Sequence, residues 1–196
     1  MTSRWRDIAV AGHTGDAAAA ASALTDPDPV ARELGLGAMA RLGALTDDHL
    51  RAALADTAAS VRRRAAMIAG TRPGITLLAV LHDSAPTVVE AAAWASGEQE
   101  QVDDDVLATL IELGAGSADA LVREACAAAL GAIGDPRGLP TILQACTDKP
   151  AVRRRAVLAL APFDGDEVDA ALQAALTDRD WQVRQAAEDV LRAANG

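Results

Sequence analysis

The chain of 196 residues carries a formal net charge of −10, and only 2% of its residues are aromatic. A chain of this length forms one domain or one short repeat array. Its acidity argues against a nucleic-acid binder, which is usually basic, and against docking on an anionic membrane surface. Alanine, the strongest helix former, is its commonest residue, and the aromatic residues that β-sandwiches need are scarce. We therefore expect an all-α protein.

The sequence gives two indications of the compartment. The N-terminal residues contain no apolar core of a signal peptide, and the chain contains no uncharged apolar run long enough to span a membrane. Cys126 and Cys146 are too few for a disulfide framework, and both lie within alanine-rich helical patterns. We therefore expect a cytoplasmic protein with reduced, buried thiols.

Helix signals alternate with turns in a regular order along the chain. A short leading helix is predicted over 3–11, and glycines or proline-containing turns separate the helices that follow. Twelve further helices are predicted over 16–24, 30–42, 46–55, 61–69, 73–81, 88–96, 106–113, 122–130, 139–145, 152–160, 168–176 and 183–191. They form six pairs, which gives repeats at about 16–43, 46–70, 73–97, 102–132, 137–161 and 166–193.

A short motif recurs where the second helix of a pair begins. In its clearest copy, Asp178 in the turn is followed by Val183, Arg184 and two alanines. The valines that mark this position in each repeat are Val30, Val61, Val88, Val122, Val152 and Val183. A recurrence of this kind predicts stacked helix pairs, because one pair cannot bury its apolar side alone and neighbouring pairs share a continuous core.

This order of aspartate, valine, arginine and alanines resembles the HEAT repeat. The short period is similar to that of the bacterial HEAT-like repeats found in phycobilisome bilin lyases. The resemblance implies a right-handed α-solenoid of about six antiparallel helix pairs, forming a single HEAT-like domain over 1–196. With the acidic composition and the absence of a catalytic signature, it favours a non-enzymatic scaffold or accessory subunit that binds a protein or peptide on its concave face.

In this family, the turn aspartate and the arginine after the valine form a ladder along the stack. Carried over to this chain, the ladder residues are Asp26, Asp56, Asp83, Asp148, Asp178, Arg62, Arg123, Arg153 and Arg184. The pattern departs from the family where Ala31, followed by Arg32, and Val89 replace the arginine, and where Ser117 replaces the aspartate. We expect the ladder to be broken in the middle, with any hinge near the acidic connection 98–105.

No catalytic or metal-binding signature is found. His13, His49 and His82 are scattered without the spacing of a metal site, and the acidic run 98–105 lacks the glycine of an EF-hand loop. His82 precedes Asp83, an arrangement that suits either a base with its orienting carboxylate or a helix-end histidine beside a ladder residue; we favour the second. No metal and no cofactor are therefore expected.

Two rows of side chains on the second helices are candidates for partner binding. Arg63, Arg64, Arg154 and Arg155 form a basic stripe that suits an acidic peptide or a phosphate group, or that pairs with nearby carboxylates. Six residues after the marker valines stand Leu36, Met67, Trp94, Ala128, Leu158 and Asp189. This second row is either a partly open groove or the edge of the core.

The resemblance also carries an enzymatic alternative. Bilin lyases use related stacks, so the chain is alternatively an accessory subunit or lyase-like factor acting on a tetrapyrrole-bearing or otherwise modified protein. A visible absorption spectrum of the purified protein would reveal a bound tetrapyrrole. A HEAT-like DNA glycosylase is disfavoured, because it needs a basic, aromatic-rich cleft and this chain is acidic and has no tyrosine.

Overall fold

The computed structural model describes residues 3–194, with side chains from Arg4 onward. All regular elements in this range are helical. The α-helices are α1 Ser3–Thr14, α2 Ala17–Ala23, α3 Pro29–Arg41, α4 Asp47–Leu54, α5 Ala59–Ala69, α6 Leu78–Leu81, α7 Pro86–Gly97, α8 Asp104–Gly116, α9 Ala120–Ile133, α10 Leu139–Ala145, α11 Pro150–Ala159, α12 Asp166–Ala175 and α13 Trp181–Ala194. A 3-10 turn, Pro136–Gly138, precedes α10. The prediction of an all-α repeat fold is confirmed.

The helices divide into two compact units, Met1–Ala92 (unit 1) and Ala93–Gly196 (unit 2), and the division falls inside α7. In unit 1, α1 packs against α3 and α3 against α5; in unit 2, α9 packs against α11 and α11 against α13. Successive second helices thus lie side by side within each unit, as a HEAT-like stack requires. The prediction of one domain over 1–196 stays a prediction.

The core of each unit consists of small and branched side chains at the repeat positions. The residues one place before the ladder arginines are almost fully buried, and they are Ala31, Val61, Val122, Val152 and Val183. The first helices contribute larger side chains such as Leu50, Leu110 and Ile142, each at most 1% exposed. Burial of each such side chain stabilises the fold by roughly 1.5–3 kcal/mol, so the packed pairs hold short helices that would not be stable alone.

The first repeat is shifted by one residue from its predicted alignment. Ala31 is buried, whereas Val30 is 38% exposed, so Ala31 occupies the position that the marker valine fills elsewhere. The helix starts at Pro29 and is capped by Asp28, whose Oδ1 accepts from the Val30 N–H at 3.0 Å. Arg32 is therefore the ladder arginine of this repeat. An alignment based on the valine alone missed it, because valine and alanine both fit the buried position.

The first helix of the third repeat is much shorter than predicted. A helix was expected over 73–81, but only Leu78–Leu81 is helical. Gly74, directly after Pro73, adopts a φ of +84°, which belongs to a left-handed turn and is incompatible with a helix through this residue. Ile75 and Leu77 are nevertheless buried, so the irregular segment still fills the core beside the second helices.

Candidate functional site

Each ladder arginine binds a turn of its own repeat, and all but the last also bind a carboxylate of the next repeat. Arg62 donates from Nε and Nη2 to the two carboxylate oxygens of Asp83, at 2.6 and 2.8 Å. Its Nη1 donates to the backbone oxygen of Asp56 at 2.8 Å. Asp83 also accepts from the Ala85 N–H at 2.8 Å, so one aspartate caps its turn and receives the arginine.

The same geometry occurs at four places in the described residues. The pairs are Arg32 with Asp56, Arg62 with Asp83, Arg123 with Asp148 and Arg153 with Asp178. Hydrogen bonds from the arginine lower the pKa of each of these aspartates below its ordinary value, with burial acting in the opposite direction. The sequence pattern pointed to the aspartates and to Arg62, Arg123 and Arg153. In the structure each of these arginines also donates to a backbone oxygen of its own turn.

The ladder positions at the unit boundary carry no charge. Val89 stands at the arginine position of the third repeat, and Ser117 stands at the aspartate position of the fourth. Ser117 keeps the capping role, because its Oγ accepts from the Asp119 N–H at 3.3 Å and its carbonyl accepts from Arg123 at 2.6 Å. Two arginine–aspartate pairs therefore remain within each unit.

The ladder residues at both ends have different partners from those in the interior. Asp26 forms an ion pair with Arg4 of α1, so the leading helix supplies a cation where a preceding repeat would. Sequence analysis missed Arg4, because no valine or turn aspartate precedes it. At the other end, Arg184 donates to the backbone oxygen of Asp178 at 2.7 Å, and no following aspartate position exists among the described residues.

The second helices of unit 2 present an exposed apolar row. Trp94 is 47% exposed and Leu158 is 36% exposed, and Ala128 occupies the equivalent place on the helix between them. Close contacts hold these helices together: a Cβ added to Gly97 would lie 2.9 Å from the Cα of Ala129, which leaves room only for glycine. Two large exposed side chains are thus separated along the row by a small one.

The predicted row continues differently toward its ends. Leu36 is 1% exposed and belongs to the core, because the one-residue shift brings Gly37 to the row position of the first repeat, where it is buried beneath the Arg64 guanidinium. Asp189 is exposed, and its carboxylate accepts from Gln185 and Arg192 at 3.0 Å. These two predicted members of the row therefore do not contribute apolar surface.

Two arginines of unit 2 border the apolar row. Arg154 has no hydrogen bond or ion pair to another described residue, and Arg155 lies 3.8 Å from Glu124 without a hydrogen bond. The Nε of Arg155 is buried and unpartnered, while its side chain as a whole is 39% exposed. Since Leu158 follows Arg155 by three residues, the two lie on one side of α11.

Unit 1 repeats this arrangement on α5. Arg63 is exposed and Arg64 is half-buried, and neither has a hydrogen bond or ion pair to another described residue. The guanidinium of Arg64 lies over Gly37, because a Cβ added there would be 2.9 Å from its Nη2. Met67 is partly exposed one turn further along α5. The side chains of the predicted basic stripe and of the predicted apolar row thus lie on the same helices.

Among the other titratable residues, His49 caps a helix and the two cysteines are affected by burial. His49 completes the cap of α4: its Nδ1 accepts from the Thr46 N–H, and its own N–H donates to Thr46 Oγ1. Burial raises the pKa of Cys126 to about 12 and that of Cys146 to about 11, and both thiols are free. Within residues 3–194, no group of three or more His, Cys, Asp or Glu side chains is placed to hold a metal ion. No helix in that range has the length and apolarity needed to cross a membrane.

Comparison with known proteins identifies the repeat type. Residues 107–192 match the family described as HEAT repeats. The structure is similar to that of YibA from Escherichia coli, with 21% identity and a TM-score of 0.61 over 77% of this chain and 59% of YibA. It is also similar to human deoxyhypusine hydroxylase in complex with glycerol, with 19% identity and a TM-score of 0.51 over 98% of this chain and 79% of that one. No curated protein is similar in sequence.

Proposed function

Because the chain is a HEAT-like repeat protein, we propose that it acts as a non-enzymatic scaffold or accessory subunit that binds another protein. The partner contacts the face formed by the second helices, and the protein works in the cytoplasm. The turn ladder has a different task, since its arginines are already paired and hold neighbouring repeats in register.

The exposure of Trp94 is the observation that carries this proposal. A tryptophan 47% exposed on one second helix, with a small residue at the equivalent place on the next and a leucine 36% exposed on the one after, is the arrangement of an anchor at a protein interface. Burial of the indole and of Leu158 against a partner would remove apolar surface from water at little conformational cost. Isolated exposed apolar residues are common, but here they recur at one repeat position within a unit.

A pull-down from the source cells, read by mass spectrometry, tests the proposal. We expect Trp94→Ala to weaken binding of the captured partner by about 2 kcal/mol or more, measured on the purified pair. Trp181→Ala is the matched control, because this indole is 65% exposed but lies outside the Trp94–Leu158 row. Equal losses for both variants, or none for Trp94→Ala, would contradict binding at the second-helix face.

A further inference from the structure

The two units carry the same surface arrangement at the same separation along the chain. Arg63, Arg64 and Met67 on α5 correspond to Arg154, Arg155 and Leu158 on α11, with one constant offset in residue number. That offset also relates Glu33 on α3 to Glu124 on α9 and Gly37 to Ala128. Each unit thus carries two arginines and one apolar side chain on one second helix, and a small residue at the corresponding place on the preceding second helix.

We infer that each unit holds one site for an acidic peptide segment, formed by Arg63, Arg64 and Met67 in unit 1 and by Arg154, Arg155 and Leu158 in unit 2. This inference rests on the proposed function, and it names the chemistry of the partner and the number of sites. It concerns each unit by itself.

Arg63 and Arg154 differ from the ladder arginines beside them because they have no carboxylate partner in the part of the chain that the structure describes. The protein has 28 acidic and 18 basic residues, so carboxylates are in surplus. Neighbouring arginines on the same helices, Arg62 and Arg153, each take two carboxylate oxygens. Arg63 and Arg154, one residue further on, have no such partner among the described residues. A guanidinium left unpaired among surplus carboxylates has its donors available for a carboxylate from outside.

Each proposed site also includes an apolar side chain beside the arginines. Met67 follows Arg64 by three residues, and Leu158 follows Arg155 by three, so each pair lies on one side of its helix. A bare phosphate would satisfy the arginines but leave this apolar surface in water. A nucleic acid would also meet the net charge of −10. A peptide with carboxylates next to an aliphatic or aromatic residue matches both features.

Selection from a random dodecapeptide library against the full-length protein tests this inference. We expect the enriched sequences to contain aspartate or glutamate beside a large apolar residue. An enriched peptide, synthesised and titrated by calorimetry, should bind with two molecules per chain. The double variant Arg63→Gln with Arg64→Gln should bind one molecule, and so should Arg154→Gln with Arg155→Gln; the fourfold variant should bind at least about tenfold more weakly.

The matched control removes two arginines elsewhere. Arg51→Gln with Arg179→Gln makes the same change in net charge, and both side chains are exposed outside the second helices. This control should keep both sites. Circular dichroism of every variant should equal that of the unchanged protein, because none of the substituted arginines is a ladder residue.

Several outcomes separate the inference from the proposed function. Enriched peptides that are uncharged but require Trp94 would overturn the acidic sites and leave the protein-binding function standing. A stoichiometry of one, abolished by either double variant, would overturn the two-site arrangement. Equal binding of inorganic phosphate and of the acidic peptide would reduce the sites to anion binding and overturn the peptide assignment. Enrichment of no peptide at all would overturn both proposals.

Discussion

Arg153 and Arg154 are adjacent on α11, yet they belong to two regions with opposite properties. Arg153 is 6% exposed and binds Asp178 through two nitrogens in the turn ladder. Arg154, about a hundred degrees further around the helix, faces the second-helix surface without an internal partner. The comparison teaches that a run of three arginines is not one basic patch. Its first member holds repeats together, whereas Arg154 has no internal partner within the described residues and Arg155 lies 3.8 Å from Glu124 without a hydrogen bond.

The energetic consequences of this division differ as much as the contacts. A paired and largely buried ion leaves an uncompensated charge when its partner is removed, which is costly. Removal of an unpaired arginine at the surface leaves no uncompensated charge behind. The ladder therefore contributes to folding, whereas the second-helix surface is where we propose that recognition occurs, although both carry the same residue type on the same helix.

The largest expected effect comes from removing a ladder arginine. We expect Arg153→Ala to lower the free energy of unfolding by about 3–5 kcal/mol, because Asp178 keeps a largely buried charge without its partner. Arg154→Ala should change it by no more than about 0.5 kcal/mol. Urea unfolding followed by circular dichroism measures both. Equal losses for the two variants would show that the arginines do not differ in role.

The next effect concerns the close packing beneath the second-helix surface. A Cβ added to Gly131 would lie 2.7 Å from the Cα of Ala159 and 2.9 Å from its carbonyl oxygen. We expect Gly131→Ala to destabilise unit 2 by roughly 1–3 kcal/mol, because backbone atoms have to move apart. Gly116→Ala is the control, since a Cβ there meets nothing within 4 Å. A thermal melt that gives the same midpoint for both variants would contradict the close approach.

Lowering the pH should reduce the free energy of unfolding by protonating the ladder carboxylates. Arginine hydrogen bonds lower the folded-state pKa of Asp178 below the ordinary value of 3.8, so its contribution to stability is complete above that value. The contribution is lost as the pH falls below 3.8 and through the lowered pKa. The free energy of unfolding should therefore decline steeply in that window. Asp178→Asn should flatten the decline, whereas an unchanged slope would exclude this carboxylate as its source.

The last expected effect concerns the exposed tryptophan of the apolar row. Trp94→Ala should lower the free energy of unfolding by about 1 kcal/mol or less, as is usual for a surface position. Leu160→Ala, in the same unit but fully buried, should cost roughly 2–5 kcal/mol. Urea unfolding compares them directly. A loss above about 3 kcal/mol for Trp94→Ala would make the indole a packing residue and remove the apolar row from the binding surface.

Much of the candidate surface was predictable because helical spacing fixes which residues share a side. The positions of Trp94 and Leu158 six residues after a marker valine indicated a common row before any coordinates were known. Whether that row was core or groove was not predictable, since both have the same periodicity. The exposed fractions distinguish its members: Leu36 is 1% exposed, and Trp94 is 47% exposed.

The sequence by itself determined the helix pairs, their period and the aspartate–arginine motif, because capping, helix propensity and the spacing of apolar residues are local properties. Packing between helices decided two further features: that Arg32, one residue after Ala31, is the ladder arginine of the first repeat, and that the helices divide into two units. Each of these depends on which side chain a neighbouring helix covers. That choice is made by packing between segments distant in sequence, so no local pattern records it.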